Sequence, residues 1–114
     1  MKIYIAGPIT GCDGYEKKFA EAERVLKEQG HIIINPAMLP EGLGDCDTYM
    51  GICFAMIDVC DAVVMLDGWK KSFGSCREWG YAFGTDKLVC EYTYFLKQEK
   101  GTDAHVFENN ILQR

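Results

Sequence analysis

The sequence has no excess of positive charge: 12 Lys and Arg stand against 17 Asp and Glu, a formal net charge of −5 at pH 7. Gripping a nucleic-acid polymer requires a basic surface that neutralises phosphates. That partner class is therefore excluded as an expectation, although a single nucleotide in a local pocket is not. No apolar stretch approaches the roughly 20 residues that span a bilayer, so no membrane partner is expected. The N-terminal "MKIYIAGPITG" runs directly into a strand and is a poor secretory leader. A cytoplasmic location follows as the default. Six cysteines, at 12, 46, 53, 60, 76 and 90, include no CxxC pair and no histidine at metal spacing. Neither a zinc site nor a disulfide framework is expected, nor any metal or cofactor, and all six read as free thiols. Cys53 and Cys60, seven apart on one helix, read as small apolar filling. Repeats, linkers and low-complexity segments are also missing.

What is present fits one domain of 114 residues. "KIYIA" (2–6) reads as a strand that "GPITG" breaks. Tyr15, Phe19, Ala22 and Leu26 form an apolar stripe at helical spacing, which predicts a helix from about Tyr15 to Gln29. Asp13 with Glu16 is a capping-box variant, and Gly30 a stop. "HIIIN" (31–35) is a second strand closed by Pro36, and residues 37–46 read as a loop. Asp47 is positioned to cap a second helix that runs to about Val59, with Ile52, Ala55, Met56 and Val59 inward. "DAVVML" (61–66) is a third strand that needs burial on both faces. A helix carrying Glu78 ends at Gly84, and "KLVCEY" (87–92) is a fourth strand. From Thr93 the reading is ambiguous, with a final helix in "AHVFENNILQR" as one option.

This alternation predicts an α/β fold: a flavodoxin-like, doubly wound parallel sheet of four to five strands with helices on both faces. Ligands of such sheets bind beyond the carboxyl ends of the strands. The loops that meet there hold the candidate binding residues Gly7, Pro8, Ile9, Thr10 and Gly11 after the first strand. Trp69, Ser72, Gly74 and Ser75 follow the third. The first loop is not a GxGxxG fingerprint, and a tight β-to-α turn explains it equally well. Tyr4 alternates with Ile3 and Ile5, so sheet packing explains it too. Ser72, Gly74 and Ser75 precede a helix start, where backbone N–H groups and the helix dipole favour an anion. Ser75-x-x-Glu78 also matches a capping box. A carboxylate in a first helical turn is held ionised by the dipole, as a nucleophile must be. Capping and catalysis share this spacing, and spacing alone leaves both open.

Three segments, "IYIAGPITG", "AERVLKEQGHIIINPAMLP" and "CDAVVMLDGWKKSFGSCREWGYA", together resemble small phage and bacterial proteins of the nucleoside 2-deoxyribosyltransferase-like superfamily. The resemblance covers about residues 2–90 in register. It implies kinship with the nucleoside 2-deoxyribosyltransferases and the 2'-deoxynucleoside 5'-phosphate N-hydrolases, which share a flavodoxin-like sheet and a glutamate nucleophile. By that resemblance Glu78 matches the nucleophile and Tyr4 the tyrosine that orients it. Ser72 matches a serine that binds the 5'-phosphate in the hydrolases, where the transferases carry an aspartate. Two departures stand out. The hydrolase loop Gly-Ser-Ile-Arg-Gly is here Gly7-Pro8-Ile9-Thr10-Gly11, without the phosphate-binding arginine, and a catalytic aspartate of the second helix aligns with Cys53. Asp67 and Asp47 are offered as replacement acids on loop position only.

The implied chemistry is glycosyl transfer or hydrolysis on a small-molecule nucleotide or nucleoside, with Glu78 attacking C1'. Met38 and Leu39 are expected to close over the base and Trp69 to stack on it, with rim packing as the alternative for Trp69. The rival readings are a non-catalytic nucleotide-binding module and an interaction protein with an idle pocket. A homo-oligomer is expected, because Tyr49, Met50, Cys53 and Ile57 extend the apolar surface of the second helix beyond the stripe its own sheet needs. The resemblance adds that relatives assemble as dimers, some as hexamers.

Overall fold

The computed structural model describes residues 1–97. Its elements are β1 (Lys2–Ala6), α1 (Tyr15–Glu28), β2 (Ile32–Ile34), α2 (Cys46–Asp58), β3 (Ala62–Met65), α3 (Phe73–Gly84), β4 (Leu88–Glu91) and α4 (Tyr92–Lys97). Single 3₁₀ turns at Pro36–Met38 and Trp69–Lys71 precede α2 and α3. The strands form one four-stranded sheet in the order β2-β1-β3-β4. All three pairings are parallel, with Ile3 opposite Ala62 and Val63 opposite Val89. This is the expected doubly wound α/β architecture, and it leaves β1 and β3 in the middle.

Strand alternation sorts the core into two layers. Ile3, Ile5, Ala62 and Val64 face α1 and α4, meeting Phe19, Ala22, Leu26 and Phe95. Tyr4, Ala6, Val63 and Met65 face α2 and α3, meeting Met50, Cys53, Ile57 and Ala82. Both central strands are thus covered twice, which is why "DAVVML" is apolar throughout rather than alternating. The stripe assigned to α1 is the one buried.

The helix starts differ from expectation in instructive ways. At α1 no Asp13 capping box forms; Gly14, in the left-handed region at φ 76°, turns the chain into the helix without a side-chain cap. At α2 the cap is Asp45, whose carboxylate accepts from the Thr48 N–H at 2.9 Å. Asp47 already lies inside the helix and pairs with Arg77 on α3 at 2.9 Å. The helix begins at Cys46, so the expected loop is shorter and opens with a 3₁₀ turn that Asn35 caps.

The inward face of α2 also differs. Met50, Cys53 and Ile57 are buried against the sheet, while Ala55 and Val59 are exposed and Ile52 and Met56 half-buried. A helix apolar around most of its circumference has no periodic asymmetry to fix its phase. Packing against Tyr4, Val63 and Met65 fixes it instead. Met50, Cys53 and Ile57 are therefore core residues, unavailable to a second subunit. The optional helix in "AHVFENNILQR" lies outside the described residues. Among the described residues no helix is long and apolar enough to cross a membrane.

Candidate active site

Beyond the carboxyl ends of the strands lies a cavity of about 870 Å³. Glu78 lines it, with Tyr4 buried behind. Tyr4, in the middle of β1 and fully buried, donates its hydroxyl hydrogen bond to Oε2 of Glu78. Glu78, on the inner face of α3, is only 5% exposed, yet it lines the cavity. Cys53 of α2, 5% exposed, lines the same cavity and packs in the cluster that holds Tyr4.

The charge state of Glu78 follows from this enclosure. Burial pushes its carboxyl up to about 7, although the hydrogen bond from Tyr4 pulls the other way. Burial likewise raises the Tyr4 hydroxyl well above its ordinary range and the Cys53 thiol to about 11. Both neighbours are thus neutral at physiological pH, and Glu78 sits near its own midpoint.

The capping alternative fails on geometry. The N-cap of α3 is Ser72, whose Oγ accepts from the Ser75 N–H at 3.2 Å. The first turn of α3 holds no acidic residue, and Glu78 lies in the second turn. Its carboxyl accepts from the Tyr4 hydroxyl, not from a backbone donor. For the same reason the helix dipole is not what sets its ionisation; burial is.

The mouth of α3 has a separate character. Ser72, Gly74 and Ser75 all line the cavity. Ser75 is 1% exposed, and its Oγ has no hydrogen-bond partner in the protein. A buried hydroxyl without a partner is costly, and beside the leading N–H groups of a helix it favours an anionic ligand. Lys71 is the single cation among the described lining residues, and it belongs to this end. Asp13, Glu41 and Asp45 also line the cavity.

From the first loop, Gly7, Ile9, Thr10 and Gly11 line the cavity, whereas Pro8 does not. Gly7 is dictated by space: a Cβ there would stand 2.9 Å from Leu66 Cβ and 3.2 Å from Phe19 Cζ. Asp67 is exposed and outside the cavity, so the structure does not bring it to Glu78. Asp47, tied to Arg77, does not line it either. Trp69 packs elsewhere: its Nε1 donates to the Glu91 carboxylate at 3.0 Å and its ring stacks on Trp79. That is the rim-packing alternative. Leu39 lines the cavity; Met38 is 76% exposed beside it.

Sequence reasoning missed Tyr49. Its hydroxyl donates to the Pro40 carbonyl at 2.7 Å and accepts from the Leu43 N–H at 3.1 Å, so one side chain clamps the loop above the cavity. It sits four residues after the Asp45 cap, a spacing that the Asp47 assignment hid. Lys71 was missed as well, although it stands next to Ser72 at the start of α3.

Comparison with known proteins agrees with this architecture. The model of the family described as domain of unknown function (DUF4406) matches residues 1–91. No curated protein matches the sequence. Among solved structures, a 2-deoxyribosyltransferase from the psychrotolerant bacterium Bacillus psychrosaccharolyticus is similar with a TM-score of 0.63 and 24% identity. That likeness covers 80% of this chain and 71% of the transferase. A 2-desoxiribosyltransferase from Leishmania mexicana gives a TM-score of 0.63 at 22% identity, over 80% of this chain and 63% of that one. At such identities the likeness carries the fold, which is of the nucleoside 2-deoxyribosyltransferase type.

Proposed function

This chain belongs to the DUF4406 family, and we propose that it cleaves or transfers the N-glycosidic bond of a deoxynucleoside or its 5'-monophosphate through Glu78. The observation that carries the proposal is the buried Tyr4–Glu78 pair opening into a cavity at the carboxyl ends of a parallel sheet. A largely buried carboxylate, held by a neutral donor and facing a ligand-sized space, is suited to attack a sugar carbon.

In the proposed reaction an oxygen of ionised Glu78 forms a bond to C1' while the C1'–N bond breaks. The bonding pair leaves with the base, which takes up a proton. Water or a second base then attacks C1' from the opposite side, restoring the carboxylate and the original anomeric configuration. Protonating the departing base at the right moment contributes roughly 10²–10⁴-fold where a positioned acid exists. Tyr4 holds one oxygen of Glu78 and leaves the other to react.

A 5'-phosphate would rest on the start of α3. Ser75 Oγ would gain the partner it lacks, Ser72 Oγ could still donate its own hydrogen, and Lys71 would supply the countercharge. Ligands are small molecules in this reading. A homo-oligomer is part of the same proposal, now on a different surface: Phe73, which lines the cavity, and Met38, next to cavity-lining Leu39, are each 76% exposed, the most exposed of the large apolar groups among the described residues. A second reading, a nucleotide-binding module without turnover, is favoured by Cys53 standing where related enzymes are expected to carry an acid.

Free-base release from each deoxynucleoside and its 5'-monophosphate tests the proposal, with a second base added to separate transfer from hydrolysis. Glu78→Gln should abolish release while ligand still raises the melting temperature. Undiminished release by that variant would end the nucleophile assignment; ligand-induced stabilisation without release in the unmutated protein would favour the binding module.

A further inference from the structure

Trp69, the aromatic expected to stack on a base, packs on Trp79 outside the cavity, yet the cavity has rings of its own. Tyr15 and Tyr49 both line it, and they reach it from opposite faces of the sheet, Tyr15 at the start of α1 and Tyr49 on α2. Each ring is held in place. Tyr15 meets Phe19, itself 1% exposed, edge to face with centroids 6.3 Å apart. Tyr49 is tethered through its hydroxyl to the Pro40 carbonyl and the Leu43 N–H. A third lining ring, Phe73, lies at the start of α3 with the Arg77 guanidinium over it, 5.8 Å from the ring centroid.

Charge gives the cavity a direction. Lys71 and the buried Ser75 hydroxyl stand at the α3 end, where an anionic group is favoured. Asp13, Glu41 and Asp45 come from the loops that lead into α1 and α2, and they repel an anion there. A ligand with its phosphate at α3 and its sugar on Glu78 therefore turns the base toward Tyr15 and Tyr49. On the reading of the cavity as a nucleoside or nucleotide site, we propose that Tyr15 and Tyr49 form its base subsite, two walls from opposite sheet faces that hold a planar heteroaromatic base by stacking. Every base has a π-face, so such a pair selects a flat heteroaromatic ring rather than one particular base. Tethered rings are already in position, so little freedom is lost when the base enters.

Calorimetry at fixed salt tests this with two ligands that differ in the base: the tightest-binding deoxynucleoside 5'-monophosphate, and 2-deoxyribose 5-phosphate, which has none. Tyr15→Leu and Tyr49→Leu should each weaken the nucleotide roughly tenfold to a hundredfold and leave the sugar phosphate within about twofold. Tyr15→Phe keeps the ring and should bind both ligands like the unmutated protein. Tyr49→Phe keeps the ring but frees the loop, and should fall between the unmutated protein and Tyr49→Leu. Should a leucine variant lose its fold, the unmutated protein still decides. Base protons of the bound nucleotide should shift upfield in NMR and show Overhauser contacts to the rings of Tyr15 and Tyr49, assigned through the phenylalanine variants. Equal weakening of both ligands, a leucine variant that binds the nucleotide undiminished, or no contact between base and rings overturns the subsite. These measurements need no turnover. A protein that shows the expected pattern but releases no base refutes the enzymatic reading and leaves the subsite standing; base release through Glu78 without that pattern refutes the subsite alone.

Discussion

At the scale of the residue, the consequence of burying Glu78 is a pH dependence with a definite sign. Its carboxyl is raised from the ordinary 4.5 to about 7 in the folded protein. Below 4.5 both folded and unfolded chains hold the proton, and the group is neutral in stability. As pH rises toward 7 the unfolded chain releases the proton first, so the folded state loses stability until Glu78 also ionises. Above 7 the full penalty applies, on the order of 3 kcal/mol. Glu78→Gln should therefore melt at higher temperature than the unmutated protein at pH 8, with the gap closing by pH 5; calorimetry across that range checks it. On the proposal that Glu78 is the nucleophile, the catalytic counterpart runs the other way, because only its ionised form would attack. kcat/KM should climb as pH passes through about 7 and lose its acidic limb only if another group is the nucleophile. Gly7 gives a third test at this scale. Gly7→Ala forces a Cβ against Leu66 and Phe19, an overpacking that should cost about 1–3 kcal/mol in chemical denaturation.

At the scale of the element, helix phase and helix start were the hard features to read. The stripe of α1 was legible because polar residues surround it, leaving only one way to bury Phe19, Ala22 and Leu26. On α2 no polar face marks the phase, and two acids, Asp45 and Asp47, compete for the cap. Geometry chooses Asp45, which reaches Thr48. Asp45→Ala should lower stability by about 1 kcal/mol, as capping losses do. Asp47→Ala breaks only an exposed ion pair with Arg77 and should change stability by less than about 1 kcal/mol. Equal effects in urea denaturation would contradict the cap assignment. The start of α3 shows the same difficulty: Ser75-x-x-Glu78 has the spacing of a capping box, but Ser72 takes the cap three residues earlier. That displacement carries Glu78 into the second turn and down to the sheet. Tyr49 fastens the loop above; Tyr49→Phe removes both of its hydrogen bonds and should raise KM more than it lowers kcat.

At the scale of the whole molecule, the doubly wound sheet was legible from alternation alone, because strands buried on both faces leave a continuous apolar signature. The cavity's contents were legible in part. Glu78 and Gly7, Ile9, Thr10 and Gly11 line it and Tyr4 bonds Glu78 from behind, while Asp67 and Trp69 lie outside it, since a position in a loop does not reveal which way a side chain turns. Self-association belongs to this scale as well. Light scattering over a concentration series should show a species larger than the monomer, and Phe73→Glu should dissociate it; a monomer at every concentration would dismiss the interface at the cavity rim.

The bond between Tyr4 and Glu78 joins residues 74 positions apart. Its two ends come from different βα units, and they meet only after β1 has paired with β3 and α3 has docked on the face that those strands share. Long closures of this kind form late, because the chain's entropy must be given up before the contact returns anything. An emerging or partly folded chain therefore has no half-made site to act with or to be occupied. Ligand binding becomes a report on completed folding: in refolding from denaturant it should return in step with hydrogen-exchange protection of the β1 and β3 amides, never ahead of it.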